Sequence, residues 1–305
     1  MEIVGECIHI ISSKVKKAIA ERDKGYIQNL AWRQVEGGAR ALELNIGPQK
    51  KVGPEVMSWI VEAVQEVVVV PLSLDTTNVA AMEAGLKVAK KRPIINSTSA
   101  SLDRLRDMPA LAAKYKAKLI ALCMGENILP TAEERIQVAM EVLMPRIMEV
   151  GIPMEDVYFD PLILTVSGMQ QYAMEGIETI RFLKQISEPP PKTIVGASNI
   201  SNGVPPEGRG LINRTHLVML MGAGLDAAIA DPLDEELMEY VRIVEERDDS
   251  TPLGRLLLRL YDATAAMERL SPQDVDMSDP EQVAVWKTVQ ILQNEVIYAD
   301  SYLRL

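Results

Sequence analysis

Short apolar runs alternate with longer stretches of helical periodicity along most of the chain. The apolar runs predict eight strands, at residues 3–5, 41–45, 67–75, 93–96, 119–124, 157–160, 193–199 and 227–231. Segments such as 54–66 and 131–150 instead repeat their apolar residues at the three- and four-residue steps of a helix. Nearly continuous apolar strands separated by helices indicate a parallel sheet covered on both faces.

Eight strand–helix units in this length predict an α/β fold, a (β/α)8 barrel. The alternative is an open doubly wound sheet, which would carry a glycine-rich turn after its first strand. Here Glu6, Cys7, Ile8 and His9 follow the first run instead. We therefore expect residues 1–245 to form the barrel and residues 246–305 to form a C-terminal helical extension packed on it.

The extension begins with an acidic stretch and then regains a helical pattern. We expect a helix over 253–270, a polar stretch over 271–280 and a last helix from Glu281 to about Tyr302. The first of these helices carries an apolar stripe, formed by Leu253, Leu256, Leu257, Leu260, Ala263 and Met267. Because the barrel has its own helices to cover its outside, we expect the stripe to serve assembly or the choice of partner.

Composition and charge narrow the function classes. The net charge of −11 argues against nucleic acid as a partner. No apolar run is long enough to span a membrane, and the first residues lack a targeting pattern, so we expect a cytoplasmic protein. Two cysteines and two histidines are too few for an iron–sulfur cluster or a barrel metallohydrolase, so no metal site is predicted.

Polar side chains stand at the carboxyl ends of the predicted strands. They are, in chain order, Glu6, Glu43, Asn45, Asp75, Asn96, Asp160, Ser198, Asn199 and Asp231. A single acid in such a place would be interpreted as the cap of the next helix. In a barrel, however, side chains from all these strands converge on one mouth, where the reactive groups of this fold lie.

The chemistry of this set is one-sided. It contains carboxylates and amides but no lysine, which disfavours a Schiff-base aldolase. Carboxylates accept paired N–H bonds, and an amide offers both a donor and an acceptor. Such groups suit a neutral heterocycle rich in donors and acceptors, and a pterin fits that description.

Five motifs carry a resemblance to a known family. They are Leu-Asp-Thr-Thr-Asn at 74–78, Ile-Asn-Ser-Thr at 95–98, Phe-Asp-Pro-Leu at 159–162, Gly-Ala-Ser-Asn at 196–199 and Asp-Ala-Ala-Ile-Ala-Asp at 226–231. The chain resembles the pterin-binding barrels, and most of all the methyltetrahydrofolate:corrinoid protein methyltransferases. Dihydropteroate synthases and the folate domain of cobalamin-dependent methionine synthase are more distant relatives. The resemblance covers residues 1–240 and the tail at 292–301.

The resemblance implies a role for each matching residue. Asp75, Asn96 and Asp160 would hold the pterin ring, and the segment from Gly196 through Ser198 to Asn199 would lie beside its N5 atom. The Asn199 side chain would bond to N5, which makes it the catalytic candidate. Further candidates for the pocket are Glu6, Glu43, Asn45, Asn202, Arg209 and Asp231. The chain departs from its relatives at Cys7 and His9, where Arg and Asn are usual, and at Glu43, where Asp is common.

The resemblance also implies a reaction and a partner. A methyl group would move between N5 of tetrahydrofolate and the cobalt of a corrinoid (cobalamin). The chain lacks the Asp-x-His-x-x-Gly pattern of cobalamin domains, so a separate corrinoid protein should carry the corrinoid, and a homodimer is expected.

The loop at 200–210 and the segment 246–290 differ from the carbon-monoxide-pathway relatives. They favour transfer from methylcorrinoid to tetrahydrofolate, in a pathway that demethylates methylamines, betaines or methoxy compounds. Three alternatives stay open: transfer from methyltetrahydrofolate to a corrinoid iron–sulfur protein in acetyl-CoA synthesis, a dihydropteroate synthase, and a non-catalytic folate-binding subunit.

Overall fold

The computed structural model describes residues 1–299, which contain a closed barrel of eight parallel strands. The strands follow one another around the barrel in chain order: β1 (Glu2–His9), β2 (Ala41–Asn45), β3 (Leu72–Asp75), β4 (Ile94–Thr98), β5 (Lys118–Leu122), β6 (Val157–Asp160), β7 (Lys192–Gly196) and β8 (Ala227–Ala230). Strand β1 pairs with both β2 and β8, which closes the ring. The predicted (β/α)8 barrel is confirmed.

Helices cover the outside of the barrel. They are α1 (Ser13–Glu21), α2 (Lys24–Glu36), α3 (Gly53–Gln65), α4 (Val79–Val88), α5 (Leu102–Tyr115), α6 (Ala132–Val138), α7 (Met144–Glu149), α8 (Val166–Met169), α9 (Glu175–Leu183), α10 (Pro206–Gly222), α11 (Glu235–Glu246), α12 (Pro252–Ala265) and α13 (Pro280–Leu292). Side-chain caps begin several of them: Asn78 accepts from two amides of α4, and Thr131 forms a capping box with Glu134 in α6. No helix within residues 1–299 is long and apolar enough to cross a membrane.

Alternate residues of each strand point into the barrel, as the two-residue period of a strand requires. The buried interior cluster consists of Val4, Ala41, Ile94, Ile120, Tyr158, Ile194, Ala227 and Ile229. Larger clusters fill the space between the sheet and its helices. Seven of these eight side chains are aliphatic and the eighth is Tyr158, so apolar packing dominates the interior of the barrel.

Several predicted boundaries are wrong. The third strand begins at Leu72 rather than at 67, because Val67 and Val68 close the end of α3 and Val69 is 77% exposed. The first strand runs on to His9, and the seventh ends at Gly196, where a 3-10 turn (Ala197–Ser201) begins. The last helix ends at Leu292, short of the predicted position, and residues 300–302 lie outside the described range.

Most of the apolar stripe of α12 is buried within its own chain, although Met267 lies beyond the end of the helix and is 72% exposed. Leu256, Leu257 and Leu260 belong to the same buried cluster as Leu217 and Leu220 of α10. The two helices approach closely at Gly222, where an added Cβ would lie 2.6 Å from the carbonyl oxygen of Tyr261. These leucines therefore need no second subunit to cover them, whereas the role of the segment in assembly or partner choice and the division of the chain near residue 245 stay predictions.

Candidate active site

A set of polar side chains lines the barrel mouth on β2, β3 and β4. The strand register places Asn45 beside Asp75 and Asp75 beside Asn96. The Asn45 amide donates to the Asp75 carboxylate, and the Asn96 amide donates to Glu43 Oε1 at 2.8 Å. Four of the predicted residues thus form two hydrogen-bonded pairs on adjacent strands, although Glu43 and Asn96 lie within their strands rather than after them.

A second group lies on β1, β7 and β8. The Ser198 hydroxyl donates to Glu6 Oε2 at 3.1 Å, and the Cys7 thiol donates to Asp231 Oδ1 at 3.0 Å. Burial and the neighbouring Asp231 raise the pKa of Cys7, so this side chain remains a thiol and acts as a donor. The chain therefore places a neutral donor beside the acid that follows β8.

Asn199 lies in the 3-10 turn that follows β7. A Cβ added to Gly196 would lie 2.8 Å from Asn199 Nδ2. A glycine at this position therefore provides the space that the Asn199 carboxamide occupies. The Asn202 amide lies 3.5 Å from Asn199 Oδ1, and Arg209 Nε donates to Ser201 Oγ at 3.1 Å. The structure therefore places Asn202 and Arg209 around the same turn as Asn199.

Asp160 ends β6 and is only 7% exposed. One carboxylate oxygen accepts from the backbone N–H of Leu162 at 2.7 Å. Burial raises the pKa of Asp160 to about 7, and the Leu162 bond and Arg135 oppose that rise. Asp160 is thus a buried acid with one bond to its own loop, and bonds from a ligand would favour its charged form.

The other mouth acids are also held away from full ionisation. Burial raises the pKa of Glu6 to about 7 and that of Asp75 to about 6. The pKa of Glu43 lies well above its usual range, because of burial first and then the charges of Asp75 and Glu6. Among residues 1–299, none of these acids forms a salt bridge with a lysine or arginine. They are therefore able to accept hydrogen bonds from a neutral ligand, or to donate one when protonated.

This arrangement of acids and amides around one mouth matches a known family. A sequence profile described as pterin binding enzyme matches residues 12–231. The chain belongs to the pterin-binding enzymes. The predicted resemblance is confirmed, and the profile spans the strand ends from Glu43 to Asp231.

Similar proteins include two kinds of enzyme. The chain is 27% identical over 241 residues to a methylcorrinoid:tetrahydrofolate methyltransferase of Eubacterium limosum, covering 78% of this chain and 88% of the relative. It is 27% identical over 287 residues to the methionine synthase of Mycobacterium tuberculosis, covering 87% of this chain but only 24% of that longer protein.

Solved structures of dihydropteroate synthases share the fold of this pterin-binding enzyme. One with a bound product has a TM-score of 0.61 at 18% identity, over 81% of this chain and 93% of that one. The synthase of Yersinia pestis with a pterin–sulfa conjugate has a TM-score of 0.57 at 16% identity, over 80% and 94% of the two chains. At these identities the likeness concerns the fold alone.

Arg104 lies behind the mouth of this pterin-binding barrel and was not among the predicted site residues. Its guanidinium donates to the carbonyl oxygens of Thr76 and Ser97, at 3.3 Å for Thr76, and it lowers the pKa of Asp75 against the effect of burial. Arg104 therefore ties the loops after β3 and β4 together beside a predicted ring-binding acid. Its position in the first turns of a helix resembles that of many surface arginines, so no sequence pattern singles it out.

Proposed function

We propose that this pterin-binding enzyme transfers a methyl group between N5 of tetrahydrofolate and the cobalt of a corrinoid carried by a separate protein. The observation that carries the proposal is the placement of Asn199 over Gly196, on the same mouth as the buried acids. A pocket that only held a pterin would have no need of an amide at the position expected for N5. The similarity to a methylcorrinoid:tetrahydrofolate methyltransferase supports the same reading.

In this proposal the acids and amides bind the pterin ring. Asp160 and Asp75 accept N–H groups from the aminopyrimidinone edge, and Asn96, fixed by Glu43, completes that edge. Holding the ring in one orientation lowers the entropic part of the barrier to methyl transfer. Because the ring is neutral, no cation is needed to bind it.

The methyl transfer itself changes the charge at N5. From methylcorrinoid to folate, the N5 lone pair attacks the methyl carbon, the cobalt–carbon bond breaks, and cobalt leaves as Co(I) with the bonding electrons. N5 then loses its proton. In the reverse direction Co(I) attacks the methyl group and N5 must gain a proton as the bond breaks. The Asn199 carboxamide is able to hydrogen-bond to N5 with and without its proton, since it donates through Nδ2 and accepts through Oδ1.

The corrinoid has to reach the pocket from outside. Exposed apolar side chains stand on the loops and helix starts at the carboxyl ends of the strands: Ile11, Val52, Val79, Leu102, Ile128 and Met169. Exposed apolar surface around a site is typical of a protein-binding region. We therefore place the corrinoid protein over the mouth, where its cobalt is able to approach N5.

We favour transfer from methylcorrinoid to tetrahydrofolate in a demethylating pathway, in line with the name of the methyltransferase relative. The opposite direction, toward a corrinoid iron–sulfur protein, uses the same groups. A dihydropteroate synthase is disfavoured, because its pyrophosphate substrate calls for cations and the mouth is rich in acids. A homodimer in the cytoplasm remains our expectation, and sedimentation measures the first part of it.

The test is to supply tetrahydrofolate with methylated corrinoid, free or on candidate corrinoid proteins, and to measure methyltetrahydrofolate by chromatography. We expect methyltetrahydrofolate to accumulate with the enzyme present, fastest with the cognate corrinoid protein. A parallel incubation with dihydropterin pyrophosphate and p-aminobenzoate should yield no dihydropteroate. Condensation in that second incubation, without methyl transfer in the first, would make the chain a synthase.

A further inference from the structure

Gln170 connects the C-terminal segment to the loop that follows β6. It lies in a 3-10 turn (Gln170–Tyr172) and is 8% exposed. Its Nε2 donates to the carbonyl oxygens of Ile291 at 2.9 Å and Val296 at 2.6 Å, and its Oε1 accepts from the Tyr298 N–H at 2.7 Å. All three bonds go to the backbone between residues 291 and 298, a segment that we call the C-terminal strap.

Apolar packing joins the same two segments. We call residues 161–174 the β6 loop. Ile163 and Val166 of this loop lie in one buried cluster with Val289, Ile291 and Leu292 at the end of α13. The Gln170 amide therefore sits in a region from which water is excluded, where an unpaired polar group is costly. Loop and strap consequently order together.

The β6 loop also touches both halves of the pterin pocket. Its residue Leu162, which has a left-handed φ of 66°, donates its N–H to Asp160. Three residues later, the Thr165 hydroxyl donates to the carbonyl oxygen of Asn202, three residues beyond Asn199. The loop thus braces the acid of β6 on one side and the Asn199 turn on the other.

We propose that Gln170 is a positioning residue and that the C-terminal strap holds the β6 loop in the shape that binds folate. A leucine in the left-handed region is unfavourable by itself, so the surrounding contacts must impose that conformation. The three hydrogen bonds of Gln170 to the C-terminal strap fix the far end of the same loop. Released from the strap, the loop is free to leave this shape, and Asp160 loses its Leu162 bond. The consequence for folate rests on the proposed function, whereas the ordering of the loop does not.

The experiment compares two buried glutamines of the same chain. Gln170→Met keeps the size of the side chain but removes its three hydrogen bonds to the C-terminal strap. Gln282→Met is the matched control, because Gln282 is equally buried and its bonds go to Asp276 and Asp279 at the start of α13. A chain ending at Gln293 removes two of the three partners of Gln170 without changing the β6 loop itself.

We expect Gln170→Met and the shortened chain to raise amide hydrogen exchange in residues 161–172 and to weaken methyltetrahydrofolate binding by at least about tenfold, a loss of about 1.4 kcal/mol. Gln282→Met should lower the melting temperature without either local effect. Calorimetry of binding is done at a temperature where all variants are folded.

Unchanged exchange and affinity in Gln170→Met would overturn the inference, as would equal changes in both glutamine variants. If the unaltered protein binds no methyltetrahydrofolate, the proposed function fails, and the exchange of residues 161–172 still decides whether the strap orders the loop.

Discussion

Charged side chains have different partners at the two ends of the barrel. At the amino ends of the strands, which we call the floor, the Tyr158 hydroxyl donates to Glu2 at 2.9 Å, and the ammonium groups of Lys118 and Lys192 lie 5.4 and 5.5 Å from its ring centroid. Arg92 forms a two-bond ion pair with Asp156 nearby. At the mouth, acids face amides, hydroxyls and a thiol instead.

We infer from this difference that the polar groups of the floor serve stability and those of the mouth serve ligand binding. Within the described residues, the polar groups named at the floor are paired with one another. The mouth keeps acids whose pKa values are raised by burial, with no salt bridge to a cation in the described residues to hold them ionised. Burying acids in this way is energetically unfavourable. It is typical of active sites, where the shifted pKa values serve the function. Variants that act on one end and not the other test this division.

The largest effect on methyltetrahydrofolate binding is expected from Asp160→Ala. The corresponding variant at the floor is Asp156→Ala. Losing Asp160 leaves N–H groups of the bound pterin unpaired, which typically costs about 2–5 kcal/mol. Calorimetry should therefore detect no methyltetrahydrofolate binding by Asp160→Ala, while circular dichroism shows a folded barrel. Asp156→Ala should bind normally and melt earlier. Equal affinities in the two variants would remove Asp160 from the site.

Asn199→Ala should separate chemistry from binding at the mouth. The carboxamide is proposed to follow a charge that changes during the reaction, so its loss should appear in the rate more than in affinity. Removing such a donor costs roughly 100-fold in turnover. Single-turnover rates and calorimetry on the same variant give the two numbers. If rate and affinity fall by the same factor, Asn199 only holds the ring.

Burial of the mouth acids should make one contribution to the stability of the ligand-free protein that falls as the pH rises. The folded-state pKa of Glu6 is raised from 4.5 to about 7, so between these values the folded chain binds a proton that the unfolded chain does not. This contribution to the unfolding free energy is present below 4.5 and is lost as the pH rises to about 7. Its size is on the order of 3 kcal/mol.

Urea unfolding across this range checks the sign of that dependence. Glu6→Gln should remove this contribution from the slope, since glutamine does not titrate. An unaltered slope in Glu6→Gln would mean that Glu6 is ionised in the folded protein.

The smallest effect on folate is expected from Leu257→Ala in α12. This side chain is fully buried against the outside of the barrel, far along the chain from the mouth residues. The cavity should lower the unfolding free energy by about 2–5 kcal/mol. Methyltetrahydrofolate affinity should not change. Weakened binding in a folded Leu257→Ala protein would mean that α12 supports the pocket as well as the core.

Much of the fold and the site was predictable from local sequence. Apolar runs mark the buried strands, and a polar residue at the end of seven of the eight runs marks the mouth. Positions that depend on tertiary contacts were not predictable. The run at 67–70 is apolar enough for a strand, yet its first residues end α3. Gln170 and Arg104 act through contacts distant in sequence, and nothing in their local surroundings distinguishes them from surface residues.

The central claim is that this pterin-binding mouth moves a methyl group between folate and cobalt. The most direct measurement mixes the protein with methyltetrahydrofolate and cob(I)alamin without oxygen and follows the absorbance spectrum. We expect the cob(I)alamin spectrum to be replaced by that of methylcobalamin, at a rate that saturates with methyltetrahydrofolate and is lost in Asp160→Ala. A protein that binds methyltetrahydrofolate but leaves the cob(I)alamin spectrum unchanged, with free and protein-bound corrinoid alike, would contradict the account.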